Sequence, residues 1–288
     1  MINWMRYRLI YFLISAVVIL PGLFSLYKWG LKTGIDFTGG TIIEYKFKNE
    51  VSGDELKDLV KEHAEPNAIR LSQGNIYELR FSALPSDKSK AITEKVKAKY
   101  LDSEELRTET VGATIGVELI KKTFYAIIIS ASAILLWVAY QFKSIKYGTS
   151  AVIAMLHDSL VLLGTFSLLG HFMGAEIDFL FVTAMLTILS FSVHDTIVVY
   201  DRTRETQKKY GGDMETIANK ALTETMVRSL NNSMTIVFML IALILLGGET
   251  IKWFAVALLV GTISGTYSSP FVAVPILVTW DKLIRRKN

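Results

Sequence analysis

The sequence predicts an α-helical polytopic membrane protein, with six transmembrane helices and a small extracytoplasmic α+β domain between helices 1 and 2. Three observations lead to this fold class. First, 51% of the 288 residues are hydrophobic and 20% are charged, whereas soluble domains average about 25% charged residues. Second, six apolar stretches are long enough for the roughly 20 residues that a bilayer-spanning helix needs. Third, residues 32–118 are polar, with 13 Lys and Arg against 16 Asp and Glu.

The six apolar stretches are the predicted transmembrane helices. They lie at roughly 8–27, 123–141, 149–170, 178–200, 228–246 and 252–279. The first begins after Arg6 and Arg8 and has two interpretations, a cleaved signal peptide or an uncleaved anchor. We expect an anchor, because the stretch is long and no small-residue cleavage site follows it.

Basic residues flank alternate ends of these stretches and so predict the orientation in the membrane. By the positive-inside rule the basic ends face the cytoplasm. Both termini are then cytoplasmic and 32–118 is extracytoplasmic. The predicted parts are 1–31 with helix 1, the outer domain 32–118, 119–201 with helices 2–4, the cytoplasmic loop 202–227, and 228–288 with helices 5–6 and a basic tail. Apolar residues at helical spacing in 202–227 predict an amphipathic helix on the inner membrane surface.

The outer domain shows a regular order of strand and helix patterns. Alternating residues predict strands at 41–47, 68–72, 76–82 and 105–111, and amphipathic segments predict helices at 53–64 and 87–100. The order β-α-β-β-α-β is typical of a ferredoxin-like sandwich. This domain carries no chemical motif, so we expect it to bind or to space and not to catalyse.

Ionisable and polar side chains inside the apolar stretches are costly and mark candidate functional sites. Their depths agree, so they could meet in the cytoplasmic half of one helix bundle. The candidates are His157 and Asp158 in the third stretch; Ser192, His194, Asp195 and Thr196 in the fourth; and Arg228, Asn232 and Thr235 in the fifth.

Two interpretations of the acidic and basic groups stay open. Burial disfavours the charged form of a carboxylate and a nearby Arg favours it, so movement of Arg228 relative to Asp195 would let Asp195 bind and release a proton. Alternatively, the two residues form an ion pair that only holds helices together. His157 and His194 belong to the residue type that titrates near neutral pH, and each is either part of such a relay or a hydrogen-bonded structural group.

Glycines and small residues form two further motifs. Gly34, Asp36, Gly39 and Gly40 lie in the sequence Gly-Ile-Asp-Phe-Thr-Gly-Gly between the first apolar stretch and the first strand. Gly261 and Gly265 have the spacing that lets helices approach closely. Ser268 and Ser269 follow them.

These motifs together resemble the SecD/SecF family of protein-export membrane proteins, within the RND superfamily. The resemblance rests on the 34–40 motif, on Leu156-His-Asp158, on the stretch 192–205 and on the glycines and serines of the last span. It covers essentially the whole chain. The short outer domain is more similar to the SecF branch than to the SecD branch.

The resemblance implies a six-helix half of an RND-type transporter in the bacterial inner membrane. SecF pairs with SecD and uses the proton motive force to promote translocation of unfolded exported polypeptides through the SecYEG channel, with SecA and with YajC or YidC. It implies an ion relay through Asp195 and Arg228, to which we add His194 and Asp158, and no enzyme activity, cofactor, metal or nucleic acid. The chain has His194 where the family usually has Asn.

Other functions remain as alternatives. An RND-type small-molecule or lipid transporter usually has larger outer domains, and a non-catalytic translocon scaffold would use Asp195 only for stability. An intramembrane aspartyl protease would need Asp158 and Asp195 to share a proton at about 3 Å, and the Gly-x-Gly-Asp pattern of such proteases is absent around both. The chain has no cysteine, which excludes thiol nucleophiles and thiolate metal sites. The sequence leaves H⁺ and Na⁺ both open as the coupling ion.

Overall fold

The computed structural model describes residues 2–72 and 74–285. Met1 and the end of the predicted basic tail, residues 286–288, lie outside the described residues. Within the described part, six helices are long and apolar enough to cross a membrane, which confirms the predicted fold class. The chain divides into two compact units, Thr33–Phe124 and the combination of Met1–Lys32 with Tyr125–Asn288.

The helices and strands follow the predicted order. In chain order the helices are α1 (Arg8–Trp29), α2 (Ile35–Thr38), α3 (Gly53–Lys61), α4 (Ser86–Lys99), α5 (Ala113–Phe142), α6 (Ile145–Met173), α7 (Phe179–Tyr210), α8 (Met214–Leu246), α9 (Glu249–Ser268) and α10 (Val274–Arg285). The strands are β1 (Gly40–Lys46), β2 (Ala68–Ser72), β3 (Ile76–Phe81) and β4 (Glu104–Val111). A 3₁₀ turn, Trp4–Tyr7, precedes α1, and a π-helical segment, Ser269–Ala273, joins α9 to α10.

The smaller unit is an antiparallel four-stranded sheet with two helices on one face. The strand order is β2-β3-β1-β4. Alternate side chains of β1 and β3 point to the same face of the sheet, and Tyr45 pairs with Tyr77 across them. That face packs against Leu56 of α3 and Ile92 of α4, both fully buried. The chain order β1-α3-β2-β3-α4-β4 is the predicted one.

The motif at residues 34–40 forms a turn that only glycine allows at its end. Gly39 and Gly40 have φ values of +74° and +140°, which favour residues without a Cβ atom. A Cβ atom at Gly40 would lie 2.9 Å from the carbonyl oxygen of Phe81. The two adjacent glycines therefore let the chain leave α2 and enter β1 directly beside β3.

The larger unit is a helix bundle in which small residues bring α1 and α6 together. A Cβ atom at Gly22 would lie 2.8 Å from the Cα atom of Gly164. One helical turn further, the hydroxyls of Ser25 and Ser167 are 2.7 Å apart. This close contact fixes α1 against α6 along its second half.

The segment 202–227 differs from the expectation of a separate helix on the membrane surface. The break between α7 and α8 is only residues 211–213, and α8 continues into its apolar part without interruption. Asp213 begins α8 by accepting a hydrogen bond from the backbone N–H of Glu215 at 3.1 Å. The apolar side chains of the first turns, including Ile217 and Leu222, are buried in protein. In the same turns Asn219 accepts a hydrogen bond from the backbone of Met5 at 2.9 Å.

Replacing Gly22 with Ala is expected to destabilise the bundle by about 1–3 kcal/mol, because the added methyl group overpacks the α1–α6 contact. Thermal unfolding in detergent measures the change. The matched control is Gly248→Ala, since a Cβ atom at Gly248 has nothing within 4 Å. Equal unfolding temperatures for the two variants would contradict the close contact.

Burial of the Tyr45 side chain raises the pKa of its hydroxyl from its ordinary value near 10 to about 12. The unfolded domain loses this proton first, so the free energy of unfolding should be constant below about pH 10 and fall as the pH rises toward about 12. The phenolate ultraviolet difference titration of wild type minus Tyr45→Phe measures this ionisation. A difference signal with a midpoint at the ordinary tyrosine value would show that the assignment is wrong.

Candidate functional site in the membrane unit

Asp158 of α6 lies at the centre of a buried polar cluster. Its side chain has no exposed surface. Oδ1 accepts a hydrogen bond from Ser264 at 2.6 Å, and Oδ2 accepts from Ser192 at 2.6 Å and Ser268 at 2.7 Å. The carboxylate therefore ties α6 to α7 and to α9 through three hydroxyl donors.

His157 extends this cluster to the first helix. Its Nδ1 atom lies 3.1 Å from Oδ1 of Asp158, and its Nε2 atom lies 3.0 Å from the hydroxyl of Ser15 in α1. Both side chains of this second contact are buried. We call the group of Asp158, His157, Ser15, Ser192, Ser264 and Ser268 the Asp158 cluster, and it joins four helices.

Asp195 of α7 has fewer hydrogen-bond donors around its carboxylate than Asp158 has. Its side chain is 7% exposed, and both of its oxygens accept from the single hydroxyl of Ser229, at 2.7 and 2.8 Å. A hydroxyl carries one hydrogen, so these two contacts share one donor. Ser269 is a second side-chain hydrogen-bond partner of Asp195, so Asp195 has two hydroxyl partners where Asp158 has three.

The expected ion pair between Asp195 and Arg228 is not formed within the part of the chain that the structure describes. Arg228 is exposed, while its neighbour Ser229 is buried and faces Asp195. Consecutive residues of a helix point about 100° apart, so the rotation of α8 that presents Ser229 to α7 turns Arg228 away. Ser229 therefore occupies the position that we expected for Arg228.

Several other predicted residues share one open side of the α7–α8 pair. Since α7 and α8 run antiparallel, the residues that precede Asp195 and Ser229 turn to the same side of the pair. These are His194 and Arg228, and both are exposed. Asn232 and Thr235 are exposed as well, and the Thr235 hydroxyl donates only to the backbone of its own helix, at 2.6 Å from the Asn232 oxygen. We call His194, Arg228, Asn232 and Thr235 the open polar face.

Close packing of α9 on α7 positions the remaining predicted residues. A Cβ atom at Gly265 would lie 3.1 Å from the Cβ atom of Ser192. The hydroxyls of Thr196 and Ser269 are 2.9 Å apart, and Ser269 also donates to the backbone oxygen of Ser192 at 3.1 Å. At Gly261 a Cβ atom would lie 2.2 Å from Cδ1 of Ile188. These contacts hold α9 where its serines reach Asp158.

Three site residues, Ser15, Ser229 and Ser264, are not among the candidates that the sequence predicts. Ser264 and Ser268 are four residues apart and therefore share a face of α9, which is the one signal that identifies them. Ser15 is a single serine among apolar residues and carries no such pattern. Ser229 is four residues before Ser233, so the same spacing could have marked it. Their roles follow only from which helices become neighbours.

The two carboxylates do not form the paired site of an aspartyl protease. Each has its own donors, and among the described hydrogen bonds none joins Asp158 to Asp195. A search of the described residues also finds no group of three His, Asp or Glu side chains that could hold a metal ion.

Comparison with known proteins identifies the family. The family model of the protein export membrane protein SecD/SecF, C-terminal, matches residues 90–283, and that of the SecD/SecF GG motif matches residues 30–51. The protein translocase subunit SecF of Thermobaculum terrenum is 41% identical over 98% of this chain and 94% of its own length. The protein translocase subunit SecDF of Bacillus subtilis is 32% identical over 95% of this chain, which corresponds to 37% of the SecDF chain.

The fold agrees with these sequence matches. The crystal structure of SecDF from Thermus thermophilus, described as a translocon-associated membrane protein, superimposes with a TM-score of 0.84 at 29% identity. It covers 98% of this chain, and this chain spans 39% of the SecDF chain. The GG motif that forms the turn before β1, the six apolar helices and the near-full-length match to SecF agree, and the chain belongs to the SecD/SecF family of protein-export membrane proteins.

Proposed function

We propose that this chain acts as the SecF-type subunit of the protein-export machinery in the bacterial inner membrane. Paired with SecD, it uses the proton motive force to promote translocation of unfolded secreted polypeptides through SecYEG, in concert with SecA and with YajC or YidC. The SecF relative that matches over 94% of its length supports the subunit type. The match to 37% of a single SecDF chain supports SecD as the partner.

The proposed orientation places both termini in the cytoplasm and residues 32–118 outside. Its support is the distribution of basic residues, which are enriched at cytoplasmic ends of membrane helices. Arg204 at the end of α7 and Lys146 at the start of α6 lie at ends that this orientation places in the cytoplasm. The five proposed parts remain those of the sequence analysis, except that residues 202–210 belong to α7 and residues 214–227 belong to α8.

Asp195 is proposed as the residue that binds and releases the coupling proton. The observation that carries this proposal is the difference between the two membrane carboxylates. An ionised carboxylate has about four acceptor sites. Asp158 fills its sites with three hydroxyls and the His157 ring, whereas Asp195 has the shared hydroxyl of Ser229 and that of Ser269. A proton that binds at Asp195 therefore occupies an acceptor site for which the protein provides no donor.

Arg228 and His194 are proposed to act from the open polar face. A charged and a titratable side chain that are exposed on apolar helices need polar partners once lipid surrounds the protein. A SecD helix that covers this face would supply them and would complete the ion path. Asp158 is proposed to hold the helices around Asp195 in place, with the supporting residues Ser192 and Thr196, and not to exchange protons itself.

Asp195→Asn is expected to abolish export at a normal level of assembled protein, because Asn cannot take up a proton. The chain would be expressed with SecD in a strain depleted of its own SecF, and export of a secreted reporter would be measured. Arg228→Met is expected to have the same effect. The matched control is Asp201→Asn, the same change at an exposed residue of the same helix, and it should export as wild type does.

Two further measurements, the amount of each variant in the membrane and its co-purification with SecD, distinguish a loss of proton coupling from a loss of assembly with SecD. If Asp195→Asn exports as well as wild type, the relay is wrong and the chain is a scaffold. If it fails only because it no longer binds SecD, Asp195 has a structural role. Collapse of the pH gradient at constant sodium gradient should stop export by the wild type, and continued export under that condition would point to Na⁺.

Asp158→Asn is expected to lower stability, by about 1–3 kcal/mol or more, because buried hydroxyl donors lose their acceptor. Thermal unfolding of the purified chain with SecD measures this. Ser159→Ala is the matched control, since the Ser159 hydroxyl donates only to the Met155 backbone oxygen of its own helix, at 2.9 Å. If the Asp158→Asn variant is as stable as wild type, the proposed structural role of Asp158, as opposed to the proton-binding role of Asp195, is wrong.

A further inference from the structure

A groove between α1 and α10, apart from the intramembrane site, has the size and lining of a ligand site. Its volume is about 440 Å³. Next to Phe12 on α1, the ring of Tyr11 packs on that of Phe271, with centroids 4.5 Å apart. The groove is lined mostly by apolar side chains, namely Phe12 of α1 and Ile276, Thr279, Trp280, Leu283 and Ile284 of the last helix.

Two buried polar atoms on the helices that form this groove have no hydrogen-bond partner among the described residues. They are Nη1 of Arg8 and Oγ1 of Thr279. Buried donors in native proteins nearly always have an acceptor, and a guanidinium in the membrane interface needs an anion in particular. Both atoms therefore lack an acceptor that a bound ligand would supply.

Helix geometry places the Arg8 side chain along the groove. Arg8 precedes Phe12 by four residues, so the two share a face of α1 at a spacing of about 6 Å. On the N-terminal side of the Tyr11–Phe271 contact, the chain that precedes α1 reaches Met5, whose backbone hydrogen-bonds Asn219. On the C-terminal side of the same contact, α10 reaches Lys282, which is paired with Glu215. Asn219 and Glu215 both belong to the first turns of α8, so Arg8 lies toward the same end of the groove as Leu283.

Charge distinguishes Arg8 from the other cations at this end of the bundle. Lys146 is paired with Asp281 at 3.1 Å, and Lys282 is paired with Glu215. Arg8 has a buried nitrogen and no carboxylate partner within the described residues. A guanidinium group donates two parallel hydrogen bonds to a phosphate, so phosphate is the anion that fits it best.

We propose that the groove between α1 and α10 binds one anionic phospholipid, whose acyl chain lies on Phe12 and Ile276 and whose phosphate and ester oxygens accept hydrogen bonds from Arg8 and Thr279. An apolar partner helix fits less well, because it carries no anion for the Arg8 guanidinium. The lipid wedges α1 and α10 at a fixed spacing. This site is independent of the proposed ion relay.

The test measures which lipid stays with the protein. The chain in complex with SecD is reconstituted into nanodiscs of phosphatidylcholine with a minor fraction of phosphatidylglycerol, extracted, and analysed by native mass spectrometry. Wild type should retain one phosphatidylglycerol in preference to phosphatidylcholine. Arg8→Gln should reduce this retention about tenfold, the effect of one lost charge-assisted hydrogen bond, and Thr279→Val should reduce it less.

The matched control is Arg6→Gln, because Arg6 is exposed and two residues away. It should retain phosphatidylglycerol as wild type does. Equal losses from Arg6→Gln and Arg8→Gln would overturn the site in favour of diffuse attraction. Equal retention of both lipids by wild type would also overturn it, and so would displacement of the lipid by inorganic phosphate alone, which would show a free-anion site.

A second measurement does not depend on how the Arg8 variant folds. Phosphatidylglycerol with brominated acyl chains should quench the fluorescence of Trp280, and this quenched component should be missing in Trp280→Phe. Brominated phosphatidylcholine at the same fraction should quench it much less. Equal quenching by the two brominated lipids would show that the groove contacts bulk lipid only.

Discussion

The packing of the membrane unit depends on one buried charge, the carboxylate of Asp158. It has no exposed surface, and a charge in the centre of a membrane helix costs at least about 2.5–3.5 kcal/mol without compensation. Hydroxyls on α7 and α9 provide that compensation at 2.6–2.7 Å. Such distances require the two helices to stand close to α6, so the charge determines which surfaces of the three helices can meet.

Small residues make this approach sterically feasible. A Cβ atom at Gly261 would overlap Ile188 of α7, and one at Gly265 would lie 3.1 Å from Cβ of Ser192. Larger residues would therefore push α9 away and withdraw Ser264 and Ser268 from the carboxylate. The π-helical segment that begins at Ser269 contains Pro270, which has no N–H to donate to the helix. The wider turn there directs the Ser268 hydroxyl to Asp158 and the Ser269 hydroxyl to α7. The glycines of the last span therefore allow the close approach that its serines need to hydrogen-bond Asp158 and α7.

The sequence predicts the helices and strands of this structure better than it predicts which of their surfaces pack together. The six spans and the β-α-β-β-α-β order follow from hydrophobic length and periodicity, which depend on each segment alone. The choice between Arg228 and Ser229 as the partner of Asp195 depends on the rotation of α8, which packing sets. The apolar residues of 217–226 predicted a helix on the membrane surface, because amphipathicity does not distinguish a membrane surface from the surface of a neighbouring helix.

The same limit applies to the polar residues, because their division into the Asp158 cluster and the open polar face depends on which helices are neighbours. Helical spacing shows that Arg228, Asn232 and Thr235 share a face, but it does not show whether that face meets this chain or another one. The structure gives Asp158 hydrogen bonds from α7 and α9 and links the neighbouring His157 to Ser15 of α1, whereas α8 reaches Asp195 with the hydroxyl of Ser229. A change of charge at Asp195 thus acts first on its contact with Ser229 of α8, and the three hydroxyls on Asp158 keep their acceptor. Under the proposed function, the α7–α8 contact is where proton binding is converted into motion, because Arg228 lies one residue from Ser229, whose hydroxyl bonds both oxygens of Asp195.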